Sequence, residues 1–242
     1  MNMRSKTRRL GLIACALITA AVSTAVVVTR VSQPPPSSAS RPTPSFTQPE
    51  ASPARTPDVA WDDALGLQLP LSQTAGPRRR HSGMAGGFSR TDLGAAFAAV
   101  NLVPRTSPNV GPAIFGETLD EQVRGPNREA MARQVATDYQ TQRRRAGVRD
   151  GAQLPSTDAE LVGYANPRLS KGGAHATVQL VLTSPDLRAT DQLLVMLVSL
   201  QWSDGDWQLI APPQGDWGTV SSVATRPPSG MQTFGGASDR GM

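Results

Sequence analysis

The chain has 242 residues, 38% of them hydrophobic, with 24 basic and 19 acidic residues and a formal net charge of +5. The first nine residues carry Arg4, Lys6, Arg8 and Arg9 and no acid, which leaves 20 basic against 19 acidic beyond them. That near-neutral remainder lacks the basic surplus of a nucleic-acid footprint, and the lone Cys15 excludes internal disulfides and thiolate zinc sites.

Residues 1–9 read as a short cytoplasmic stub. Residues 10–29, LGLIACALITAAVSTAVVVT, then run without a charge. A helix rises about 1.5 Å per residue, so such a run matches the roughly 30 Å apolar core of a bilayer. Basic residues resist translocation, and four of them precede the run against Arg30 alone behind it. The expectation is an uncleaved signal-anchor in the cell membrane, with the N-terminus in the cytoplasm and the bulk of the chain outside it. Two rivals fit less well. A cleavable signal would cut near Ser23-Thr24-Ala25, yet Val26-Val27-Val28 prolongs the apolar run. A lipobox at Leu12-Ile13-Ala14-Cys15 would have only a short apolar lead.

Residues 30–57 are rich in Pro, Ser and Thr, a composition that buries too little apolar surface to order itself. They read as a disordered spacer with a reach of roughly 80 Å. Residues 58–217 form the expected extracytoplasmic domain, and 218–242, Gly/Ser/Thr-rich without hydrophobic period, a flexible tail.

Within the domain, Trp61 to Leu71 alternates Leu65, Leu67, Leu69 and Leu71 as an extended lead-in, and Ser72 to Gly87 reads as a loop. A helix is predicted over Thr91 to Val103, with Thr91 as cap and a face of Ala95, Ala96, Ala99, Val100 and Val103; Pro104 limits it. A second helical region begins near Gly116, pairs Leu119 with Val123 and breaks at Gly125-Pro126. A longer helix follows Asn127, with Met131, Val135 and Tyr139 in one stripe, and ends at Gly147.

The period then switches to two. Strands are predicted over Glu160 to Arg168, Ala174 to Thr183 and Gln192 to Trp202, with Asp204-Gly205 turning into a last strand from Trp207. The expected fold class is α+β: N-terminal helices packed on a curved, mostly antiparallel sheet, preceded by one transmembrane helix.

The sheet end WSDGDWQL at 202–209 is similar to nuclear-transport-factor-2-like domains, in which the strand after the turn opens with Trp-x-Leu. A basic stub, one anchor, a spacer and such a cone resemble the inner-membrane assembly factors of conjugation and type IV secretion systems. LPLSQTAGP at 69–77 and GGFSRTDLGAAFAAVN at 86–101 resemble uncharacterised membrane-anchored proteins of actinobacteria, some encoded on conjugative elements. The resemblance implies a non-enzymatic scaffold that contacts other envelope or secretion-machine proteins.

The residues themselves offer little catalytic chemistry. His81 and His175 are the only histidines, and no phosphate-loop, nucleophile-elbow or zinc-protease pattern is present. His81 reads as a solvated loop residue. His175 is a weak catalytic candidate that Asp186 or Asp191 would have to orient as a general base. No cofactor and no metal is expected. The candidate interaction surface is Trp61, Arg78, Arg79, Arg80, Arg143, Arg144, Arg145 and Trp217, with solvated loop and helix ends and core tryptophans as the plainer reading. A second copy of the chain, meeting at the small-residue helix face, is a further candidate partner. The alternative function is an exported binding module for a lipid or other small apolar ligand.

Overall fold

Trp207, Phe97, Leu200 and Val178, all fully buried, lie where a central helix meets a mostly antiparallel sheet. The computed structural model describes residues 54–56, 58–155 and 158–234. The stub, the predicted anchor at 10–29 and nearly all of the spacer lie outside these, as do residues 235–242. No described helix is long and apolar enough to cross a membrane.

The described chain opens with strands rather than helices, which corrects the expectation of helices at the N-terminal side. β1 (Ala54–Arg55) is followed by two hairpins, β2 (Ala60–Ala64) with β3 (Leu67–Leu71), and β4 (Arg79–His81) with β5 (Met84–Gly86). The first reverses at Leu65-Gly66 and the second at Ser82-Gly83, each pair with positive φ as tight hairpin turns require. The stretch expected to be a loop between Ser72 and Gly87 therefore contains a hairpin.

α1 (Asp92–Arg105) starts where predicted: the Thr91 hydroxyl accepts from the Gly94 amide at 3.0 Å. It is buried almost all round, from Gly94 to Leu102 without a break, as befits a helix enclosed on several sides. β3 and the later strands over 160–169, 175–183, 193–203 and 206–210 all pack against it. Asn101, buried on this helix, donates to Pro70 O at 3.0 Å and so pins the first hairpin to it. Pro104 lies within the last turn, and the helix ends one residue beyond it.

α2 (Pro112–Glu121) and α3 (Arg128–Ala146) flank the short β6 (Val123–Arg124). Val123 therefore does not continue the α2 stripe with Leu119. It pairs parallel with the end of the strand over 206–210, where its side chain is fully buried and its neighbours Gln122 and Arg124 accept backbone hydrogen bonds from Leu209 and Ala211. α3 buries the predicted stripe Met131, Val135 and Tyr139, and Gly147 caps it in the left-handed region.

β7 (Glu160–Leu169), β8 (His175–Thr183), β9 (Leu193–Ser203) and β10 (Asp206–Ile210) form an antiparallel meander, with the short α4 (Pro185–Ala189) between β8 and β9. Two register shifts in β7 mark bulges, which bend a strand and strengthen its twist.

Residues after 217 do not behave as the expected tail. β11 (Ser221–Ala224) pairs with the first half of β9, and β12 (Gln232–Thr233) pairs with β7 on one side and β1 on the other. Phe234 is 2% exposed and packs edge-on to Phe97. The physical reason is that β9 and β7 offer open edges, and short Gly/Ser-rich segments bury enough there through Met231 and Phe234 to stay. The final sheet order is β1-β12-β7-β8-β9-β10-β6, with β11 beside β9.

Candidate functional site

The β4–β5 hairpin is held at each of its arginines, and the residue behind it is a buried cation. Arg78 donates to Thr74 O and Gly87 O at 2.9 and 3.0 Å, Arg79 pairs with Asp206 at 2.9 Å, and Arg80 pairs with Asp62 at 2.8 Å. The Asp206 carboxylate also accepts from the Gly87 and Phe88 amides at 2.6 and 3.1 Å, joining the hairpin's exit to the start of β10. The arginine run therefore staples a hairpin rather than standing free.

Arg105 closes α1 beneath this hairpin and is 2% exposed. Its Nε donates to Gly83 O at 2.7 Å, and Nη1 donates to Asn101 O. Nη2 has no partner among the described residues. Burial pushes the Arg105 pKa down to about 10, against the raising effect of the Asp62 charge, so the guanidinium stays protonated near neutrality. With Asp62, Leu65, Arg80, His81 and Met84 it lines an open pocket of about 280 Å³. The electrostatics are those of one cation in excess, because Arg80 and Asp62 offset each other. Chemically, such a site can offer the Nη2 N–H donors to an anion.

On the other flank of the hairpin, Gln122 donates to Ala85 O at 2.7 Å, while its buried Oε1 has no partner among the described residues. Among the described residues no cluster of His, Cys, Asp or Glu could hold a metal ion.

The other expected site residues fall elsewhere. His175 is exposed at the start of β8, on the face away from α1 and opposite Gln201. Asp186 and Asp191 follow the far end of that strand, roughly 26 Å away at strand spacing, so neither can orient it. Arg143 pairs with Asp150 at 3.2 Å, Arg144 donates to Gln140 O at 2.9 Å, and Arg145 is exposed in the last turn of α3, where cations suit the helix dipole. Trp61 is half-buried and meets Phe234 edge-on, with centroids 6.4 Å apart. Trp217 packs on the core and donates to the Thr106 hydroxyl at 3.4 Å. Trp202 and Trp207 stack edge-to-face, with the Arg90 guanidinium 5.5 Å from the Trp202 ring centroid. The four tryptophans are thus core and anchor residues first.

Sequence reasoning missed Arg105 and Asn101. Their signal was the i, i+4 spacing just before and after Pro104, which places Arg105 one turn beyond Asn101 on the same helix face.

No curated protein and no solved structure matches the chain. A family described as a domain of unknown function, DUF8175, matches residues 21–227, and with that span the chain belongs to this family.

Proposed function

We propose that the chain is a non-enzymatic scaffold tethered to the cell membrane by residues 10–29, whose extracytoplasmic domain contacts other subunits of an envelope-spanning machine of the conjugative or type IV secretion kind. Tethering is the mechanism: the anchor confines the domain near its partners, and confinement raises effective concentration for individually weak contacts. The filled interior carries this reading. Phe97, Met131, Tyr139, Leu180, Leu200 and Trp207 occupy the space between helices and sheet, each no more than 2% exposed. A module that held a lipid or small apolar ligand would need a cavity there.

Two further observations support the reading. A short strand, β6, lies parallel to the end of the meander, and α1 packs across β7 to β10, an arrangement that suits a nuclear-transport-factor-2-like cone. The opposite face of β8 and β9 presents the cross-strand pairs Thr177–Ser199 and Gln179–Leu197, with Leu197 44% exposed. Crosslinking followed by pull-down of the full chain from native membranes tests the proposal. It should recover subunits of a secretion or conjugation apparatus, and recovery of none of them contradicts it.

A further inference from the structure

We infer that the pocket beneath the β4–β5 hairpin is a receptor for a carboxylate, with Arg105 as its anchoring donor and Arg80 as the second cation at its wall. This holds whether or not the scaffold reading does, because it rests on the pocket alone.

The argument begins with the cost of burying a guanidinium. A charged side chain 2% exposed is expected to meet a counter-charge or to fill its hydrogen-bonding capacity. Arg105 does neither completely. Among the described residues it forms no ion pair within contact distance, its Nε and Nη1 are spent on Gly83 O and Asn101, and the two N–H groups of Nη2 have no acceptor. Those groups belong to a residue that lines the pocket.

The residue set selects the anion. With Asp62 paired to Arg80 at 2.8 Å, the remaining fixed charge at the pocket is the Arg105 cation. One charge matches a carboxylate better than a dianionic phosphate, which Asp62 would repel. With Nε and Nη1 engaged, the Nη2 N–H groups are the donors left to a carboxylate oxygen, as a charge-assisted hydrogen bond. Ala64, Leu65 and Met84 supply an apolar wall for the carbon chain beside it, and about 280 Å³ admits a short aliphatic acid or a peptide end. The hairpin also fixes the donor: Gly83 O holds Nε at 2.7 Å, so little rotamer freedom is lost on binding.

The test uses the full chain in detergent, titrated separately with butyrate, with the peptide acetyl-Ala-Leu bearing a free carboxylate, with its amide, and with inorganic phosphate. Binding is followed through the Arg105 Nε–H resonance. Both carboxylates should shift that resonance saturably and the amide should not. A peptide at least tenfold tighter than butyrate assigns the source to a polypeptide end, and equal affinities assign it to a small free acid. R80A should weaken binding several-fold with the fold intact, and R105K should weaken it at least tenfold. If R105K does not fold, the native Arg105 resonance decides alone. An unmoved resonance, an amide that binds as well as the acid, or phosphate that binds more tightly than either carboxylate overturns the assignment.

Discussion

The Tyr164 hydroxyl donates to Gln232 Oε1 at 2.6 Å, and the Thr56 hydroxyl donates to it at 3.1 Å. One residue of β7 thereby ties Thr56, directly after β1, to β12. Gly163, next to it, leaves room for the Gln232 carbonyl, which a Cβ would strike. A chain cut after residue 217 should therefore fold poorly, because it loses β11, β12 and the side chain of Phe234. The single change Phe234→Ala should cost about 3–5 kcal/mol, the usual range for emptying a buried phenylalanine site. Urea denaturation of both variants checks this.

The same hydroxyl gives a pH signature. Burial raises the Tyr164 pKa above its ordinary 10.0, and the hydrogen bond from Thr56 only partly opposes that. A raised folded-state value means that the folded form holds its proton longer, so the contribution is full below pH 10 and is lost as pH rises through the folded value. Tyr164→Phe removes that loss. Arg105, whose pKa is depressed to about 10, acts in the opposite sense above about pH 10, but it is common to both proteins. The stability gap between native and Tyr164→Phe chains should be constant from pH 7 to 9 and narrow above pH 10 in denaturation curves.

Asp206 and Arg79 form an ion pair whose two halves should be unequal. Asp206 is 14% exposed at its side chain and accepts two amides from the β5 exit besides Arg79, whereas Arg79 is 72% exposed. Asp206→Asn should cost about 2–3 kcal/mol through weakened charge-assisted hydrogen bonds. Arg79→Ala should cost under about 1 kcal/mol, as exposed pairs do. Thermal denaturation of the two variants separates them.

Two helical glycines should respond in opposite directions. A Cβ at Gly94 would collide with the Ser89 carbonyl and hydroxyl, and backbone would have to move. Gly94→Ala should therefore destabilise by about 1–3 kcal/mol or more. Gly116 in α2 has nothing within 4 Å of a built Cβ, so Gly116→Ala should gain roughly 0.4–1 kcal/mol. Equal signs in melting temperature would contradict the packing described for α1.

The long periodic elements were legible in the sequence for a physical reason. The α3 stripe of Met131, Val135 and Tyr139 and the β8 alternation repeat a burial pattern long enough to exceed local noise, while α1 was marked by its Thr91 cap and the β9–β10 hairpin by the turn chemistry of Asp204-Gly205. Short elements carry no such period. The β4–β5 strands are three residues each and begin with two arginines, so only the Ser82-Gly83 turn could signal them. β12 is two residues long, and its place depends on the distant β7 edge and on Tyr164, which no local pattern encodes. Val123 followed α2 in spacing but was drawn into the sheet by an open edge of β10. At the candidate site, the arginine triplet was visible while its intramolecular partners Asp62 and Asp206 were not, being far away in sequence. Arg105 lies beyond the predicted helix end at Val103, and only tertiary packing buries it.

The central claim is that an anchored domain outside the cytoplasm works by touching other envelope subunits. Site-specific photocrosslinking in the native cell, with the reactive side chain placed at Leu197 or Thr177 on the open face of β8 and β9, tests it most directly. The account predicts covalent adducts with another subunit of a secretion or conjugation machine, lost when residues 1–30 are deleted. No protein adduct from either position, or unchanged adducts from a chain without its anchor, would contradict it.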